Sequence, residues 1–477
     1  MSLADASHRY RQLAAVLAAD LRAGRYPAGS RLPSVRQLCR EQGASLATVT
    51  HALQLLEDEG LVQARPRQGF FARGLASASR VVPGAALALE ARRQRLIDLA
   101  ATQPDCVSLG HLALSPGWLP VAALKRLMLR RLGQDPALLA MGTVFGGEAL
   151  REQLARQLAR AGCGVAAEDI VVCQGEAEAL QLCLRLLVRQ GERIAIASPA
   201  PLRTLELLIS LGLQPVEIPA AASGGLSLPA LEAALAQGPL AACIVESHGH
   251  PAAVGAMSES AMRAITALLA RHRLPLIECD MLGELTRAPQ RKPPLKAFDR
   301  EDWVLYYSGF ACITGLGCNL GYVASGRYRL QLRAARTVQG DLLPQLTEQV
   351  LGEFLGSEAY ARHLRRLRER LAEQVSLHAE AVRTAFPEGT QVWTGEGGHA
   401  LWIALPPGLD ACTLLEAARA QGYTFVPGPV FGLGREFDRC LRLTAAHPLD
   451  AVRRRGIALL GALARAQAEA RTRPQAQ

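Results

Sequence analysis

Lysine is nearly absent from this chain. Its 477 residues contain three, Lys125, Lys292 and Lys296, although lysine and arginine together number 53. Chemistry that needs a primary amine therefore has very few candidates, and the positive charge is almost entirely arginine. No apolar run of 18 residues is free of charge, and the opening MSLADASHRYRQ has no apolar signal core, so neither a spanning helix nor a secretory leader is expected. The expected location is the cytoplasm. Eleven cysteines form no CxxC pair and are odd in number, which argues against a disulfide framework and for buried free thiols in a reducing compartment. His248, His250 and Cys279 match no metal-ligand spacing, so no metal is expected. Aromatic residues make up 5%, yet 49% hydrophobic content with 20% charge is ample for a large core. The length suggests about three structural units. A net charge of +10 permits a polyanionic partner.

The first seventy-odd residues parse into three helices and a hairpin. Tyr10, Leu13, Ala14, Leu17 and Leu21 fall at helical spacing, ending before Gly24. After the turn RYPAGSRLP, Ser34 caps a short helix through about Arg40. EQGA forms a tight turn, and Ser45 caps a third helix to Gly60. Leu61–Ala64 and Phe70–Ala72 flank RPRQG as a hairpin. This is the pattern of a winged helix-turn-helix, and its side chains suit DNA. Ser45, Thr48, Thr50 and His51, early in the third helix, could reach phosphates or base edges. Arg36 on the preceding helix, with Arg65 and Arg67 on the wing, can neutralise phosphates. Glu57, Asp58 and Glu59 lie at the far end. A small dimerisation domain with ordinary surface arginines is the competing reading.

The segment PAGSRLPSVRQLCREQGASLATVTHALQLLEDEGLV resembles the DNA-binding signature of the GntR family almost throughout. One departure is Leu46, where that family often has arginine, which should alter a contact and leave binding intact.

Residues 76–103 read as a linker, being small and Pro- and Gly-containing without a clear period. Beyond them, short apolar runs alternate with helical stretches: DIVVCQG, RIAIASP, AACIVESHG, LPLIECD, WVLYYSG and LGYVASG. This alternation argues for an α/β domain with a mostly parallel sheet, over about 104–357. A smaller α+β subdomain follows over 358–466, and residues 467–477 read as a disordered tail. The order of elements resembles the type I fold of pyridoxal-phosphate (PLP) aminotransferases. A GntR-type winged helix fused to that fold is the arrangement of the MocR subfamily. FGGEALREQLARQLARAGCGVAAEDIVVCQGEAEAL, VPGPVF and CLRLTAA are similar to that subfamily's motifs.

PLP chemistry needs a lysine for the Schiff base, a carboxylate on the ring nitrogen, donors for the phosphate, and an arginine for the substrate carboxylate. The subfamily's reactive loop is similar to GSFSKTLxPGLRLGY. Aligned on Leu320–Tyr322 it sets Cys312 at the lysine, Gly309 and Ala311 at the serines, and Asn319 at the arginine. The pattern EDDY sets Cys279 at the ring carboxylate and Met281 at the tyrosine; Asp280 could serve in its place if the register slips by one, although strand alternation argues against that. Gly175 still opens the phosphate helix, but Glu176 and Glu178 fill its first turn, where they suit the helix dipole and repel an anion. Arg442 matches the carboxylate-binding arginine or is structural. His248–Gly255 resembles, without matching in spacing, the turn beside the ring.

These residues lead to the expectation of a regulator that binds a double-stranded DNA operator as a head-to-tail homodimer. Its aminotransferase-like domain would be catalytically inactive and free of covalent PLP, with non-covalent PLP disfavoured. Its cleft, marked by Gly175, Glu176, His248, Cys279, Asp280, Cys312, Asn319 and Arg442, could sense a different small molecule. Two alternatives remain: a PLP-binding regulator or aminotransferase using Lys292 or Lys296, and a thiol sensor using Cys312, Cys318 and Cys279.

Overall fold

Ser34 and Ser45 each start a helix, because a side-chain oxygen there satisfies a backbone donor that the first turn leaves open. In the computed structural model, Ser34 Oγ accepts the Gln37 N–H at 3.2 Å and opens α1, Val35–Gln42. Gly43, at φ 59°, closes α1 in the left-handed region that glycine reaches without strain. Ser45 Oγ accepts the Thr48 N–H at 3.2 Å and opens α2, Leu46–Asp58. Along α2, Val49, Ala52, Leu53 and Leu56 are buried at helical spacing, packed with Leu13, Leu17, Leu32 and Leu38. Strands β1 (Val62–Arg65) and β2 (Gly69–Ala72) pair antiparallel, Val62 opposite Ala72 and Arg65 opposite Gly69. Glu57, at the end of α2, accepts the Ala64 N–H at 2.8 Å and so ties the helix to the hairpin.

The structure describes residues 30–58, 62–65, 69–72, 105–221, 225–248, 257–287, 291–339, 341–395 and 397–472, with a few positions in 10–26 and residue 94. They fall into two compact units, 1–91 and 92–477.

The second unit is built on β3 (Ile170–Cys173), α3 (Glu176–Leu187), β4 (Arg193–Ser198), β5 (Gln214–Pro219), β6 (Ala242–Glu246), β7 (Leu276–Cys279), β8 (Val304–Gly309) and β9 (Gly321–Ala324). The seven strands lie in the order β3-β9-β8-β7-β6-β4-β5. Only β9 runs antiparallel to its neighbours. Every residue of β3, β7, β8 and β9 is buried, because helices cover both faces, and the strands therefore read as continuous apolar runs. Helices α4 (Arg329–Gln339) and α5 (Glu358–Ala385) follow. A four-stranded antiparallel sheet of β10 (Gln391–Thr394), β11 (Ala400–Ala404), β12 (Val426–Pro427) and β13 (Cys440–Thr444) then packs with α6, Ala451–Thr472. Because α6 is helical to Thr472, residues 467–472 are not tail, contrary to the sequence reading. The helix continues because Leu460 and Ala464 anchor its apolar face in the small subdomain's core.

All eleven cysteines are free thiols. Among the described residues no helix is long and apolar enough to cross a membrane, and no His/Cys/Asp/Glu cluster could hold a metal.

Candidate functional site

The first candidate surface is the open start of α2 with α1 beside it. Arg36 and Arg40, four apart on α1, are exposed, as are Arg31, Ser45 and His51. His51 meets the Tyr10 ring edge-on at 5.6 Å between centroids. The sequence reading had four polar side chains presented outward, and two are presented less than expected. Thr48 Oγ1 lies 2.8 Å from Ser45 Oγ, and the Thr50 hydroxyl donates to the Leu46 carbonyl at 2.8 Å, both threonines being half-buried. Short hydroxyls in a first turn commonly return to their own backbone, and that competition is why they were misjudged. Arg65 ends β1, and Arg67 lies outside the described residues. Sequence reasoning passed over Arg31 and Arg40.

The second candidate lies where β3, β4, β6, β7 and β8 all end, on the sheet edge that α/β folds use for ligands. Strand β9 starts at the same edge. A Cβ on Gly321 would fall 2.4 Å from the Gly175 carbonyl carbon, so only glycine lets these two segments cross. That crossing brings Asn319 against the start of α3. Its Nδ2 donates to Glu176 at 3.4 Å, and its Oδ1 accepts the Phe310 N–H at 3.2 Å. Arg203 approaches Glu176 from outside at 3.9 Å. Glu178 accepts the Gln174 N–H at 2.6 Å and faces the fully buried Arg336 at 3.5 Å. The helix start is thus occupied by its own carboxylates and their partners.

Cys312 sits in a single helical turn, Ala311–Thr314, half-buried. Burial, helped by the nearby Glu176 charge, pushes its thiol up to about 12, and burial takes Cys318 to about 11. Cys279 ends β7 beside Glu246, which ends β6 in register with it. Both line a narrow recess with Ala197, Thr204, Ile244 and Tyr307. Burial raises the Cys279 thiol, and the Glu246 charge adds to that. Burial lifts the Glu246 carboxyl to about 7 against the pull of Arg442. Arg442 in turn is drawn down to about 10 by burial, with Glu246 opposing. Its NH2 donates to the Gly110 carbonyl at 3.1 Å, and its guanidinium lies 5.1 Å from the Phe431 ring centroid.

Asp280 and His248 do not belong to this cleft, which corrects the sequence reading. Both side chains are fully buried and bonded to one another, His248 Nδ1 to Asp280 Oδ1 at 2.9 Å. Asp280 Oδ2 accepts from Arg291 at 2.6 Å and from the Tyr306 hydroxyl at 2.9 Å. Arg291 also donates to Glu284 at 2.5 Å, and Arg368 on α5 donates to the Glu284 carbonyl at 2.6 Å. Burial alone would raise the Asp280 carboxyl, but His248 and Arg291 hold it well below its usual range. Burial likewise works to lower His248, and Asp280 overrides it and raises the imidazole. Alternation past the end of β7 explains the placement: Cys279 faces one side and Asp280 the other. Arg291 and Glu246 were missed. A lone charge in a Pro-rich loop and one at the end of an apolar run leave no periodic signal.

The lysines lie elsewhere. Lys296 is buried, its Nζ donating to the Val304 carbonyl at 2.8 Å and to Asp302 at 3.4 Å. Val304 begins β8 and Gly309 ends it, so that ammonium lies roughly 16 Å from the cleft edge at about 3.3 Å per residue. Lys292 is half-buried next to Arg291 in sequence, and Lys125 is exposed on the helix Val121–Gln134.

A helix-turn-helix with a β-hairpin wing and this seven-stranded mixed sheet define the class: a GntR-type DNA-binding unit followed by a type I aminotransferase-like fold. The profile of "Bacterial regulatory proteins, gntR family" matches residues 9–72. The chain is similar over 92% of its length to the uncharacterized HTH-type transcriptional regulator YdcR of Escherichia coli K12, at 29% identity and 95% of that protein. It is 25% identical to the probable rhizopine catabolism regulatory protein MocR of Rhizobium meliloti, over 90% of this chain and 87% of that one. Among solved structures, LysN, the α-aminoadipate aminotransferase of Thermus thermophilus, superposes with a TM-score of 0.71. It covers 83% of this chain and all of its own at 23% identity, a likeness of fold.

Proposed function

We propose that this chain is a DNA-binding transcription regulator whose aminotransferase-like unit dimerises and senses a small molecule, without carrying PLP as a Schiff base. The observation that carries the reading is the start of α3. The fold's phosphate-binding position holds Glu176, engaged by Asn319, and Glu178, engaged by the Gln174 N–H. A dianion placed there would meet two carboxylates in a half-buried setting, so the residues present do not fit PLP. Cys312 stands where the resemblance sets the lysine, and a thiol cannot form an imine. Lys296, fixed to the Val304 carbonyl at the far edge of the sheet, opposes the reading in which it substitutes.

The test is the visible spectrum of the purified protein with added PLP. No internal-aldimine band is expected, and no lysine should be trapped by borohydride. A band trapped on one specific lysine overturns the proposal. Thiol sensing is disfavoured because Cys312 and Cys318, at about 12 and 11, are not thiolates near neutrality. Mild oxidation should leave DNA affinity unchanged.

Dimerisation draws support from exposed apolar side chains. Met141 and Leu342 flank the short paired strands Gly142–Thr143 and Leu343–Pro344, with Leu139 and Val338 nearby in sequence. The head-to-tail arrangement follows the resemblance. Val338→Asp should shift sedimentation toward monomer, and an unchanged dimer would remove this face from consideration.

A further inference from the structure

The first residue of α2 is a leucine left largely exposed. Leu46 is 62% exposed, directly after the Ser45 cap, and Ala47 beside it is also exposed. The surroundings are cationic. Arg36 and Arg40 are exposed on α1, and Arg31 runs beside the hairpin, 3.4 Å from where a Cβ on Gly69 would lie. A surface built to meet phosphates therefore carries an apolar tip at the point where a recognition helix enters a groove. An isobutyl group can neither donate nor accept a hydrogen bond. The one apolar feature of a major-groove base edge is the thymine 5-methyl, so it is what such a side chain can bury.

We infer that Leu46, with Ala47, reads thymine by packing against its 5-methyl group, and so sets a T-bearing position in each half-site of the operator. This rests on the DNA-binding reading of the first unit. Ser45 and the arginines position the helix, and Leu46 supplies discrimination through burial, with no hydrogen bond to the base. Removal of one buried methyl from the duplex should weaken binding about fourfold.

The experiment uses the full-length protein. Duplexes are selected from a randomised library, and affinities are then measured at one fixed salt concentration. Each thymine of the best duplex is replaced in turn by uracil, which deletes only the methyl. The expected result is one position per half-site where the replacement costs about fourfold. Leu46→Ala should abolish that penalty, and Leu46→Arg should move the preference at that position to guanine. Thermal melting of each variant checks its fold, and the uracil series on the wild type needs no variant at all. Uracil tolerated everywhere, or a penalty equal in wild type and Leu46→Ala, overturns this assignment alone. A protein that enriches no duplex overturns the DNA-binding reading and this assignment with it.

Discussion

Two helices in this chain begin in opposite ways. Helix α2 has no acidic residue in its first turn, a serine cap and exposed arginines nearby. Helix α3 begins after Gly175, at φ 101°, and places Glu176 and Glu178 in its first turn. Both have the same dipole and the same orphan N–H groups. What differs is whether side chains leave that terminus free for an outside anion. At α2 they do. At α3 the chain supplies its own, and His248, Asp280, Arg291 and Glu284 likewise partner one another in a buried cluster.

The largest expected effect comes from disrupting that buried cluster. Asp280→Ala leaves His248 and Arg291 buried without their shared carboxylate and should cost about 3–5 kcal/mol by chemical denaturation. A loss below about 1 kcal/mol would mean the charges are not coupled as described. Asp280 is held below its ordinary 3.8, so its contribution is complete above that pH and is lost as pH falls further.

Next is Glu246, whose folded value of about 7 lies above its ordinary 4.5. The folded state then holds the proton more tightly, and stability should fall as pH rises from about 4.5 through 7. Glu246→Gln should remove that decline, leaving the variant roughly 1–2 kcal/mol better than wild type at about pH 8 relative to about pH 5. Parallel melting profiles across that range would contradict the burial argument.

Ala47→Glu copies the α3 arrangement onto α2 and should weaken DNA binding on the order of tenfold at physiological salt. If affinity holds, the start of α2 is not at the phosphates. The smallest effect is the converse change. Glu176→Gln should alter stability by roughly 0.3–1 kcal/mol, while inorganic phosphate should raise the melting temperature of the variant more than that of wild type. Equal responses would show that Glu176 is not what excludes an anion.

Much of this was legible in the chain itself. Ser34, Ser45 and Gly43 fix helix ends through local hydrogen bonds and backbone freedom, and α2's buried face follows a helical period of about 3.6 residues. The apolar runs around Tyr306 and Ile277 announced strands covered on both faces. Less legible was where single polar groups point. Thr50 turns back on Leu46, Asp280 leaves the cleft for His248 and Arg291, and Glu246 enters it.

The sequence by itself determined the lysine inventory, the two helix starts and the alternation that separates Cys279 from Asp280, since each depends on neighbours within a few residues. Only the tertiary structure decided that Asn319 meets Glu176, that Lys296 is held at the far end of β8, and that Arg291 reaches Asp280. Those pairings join residues brought together by strand order and chain crossings, which no local period records.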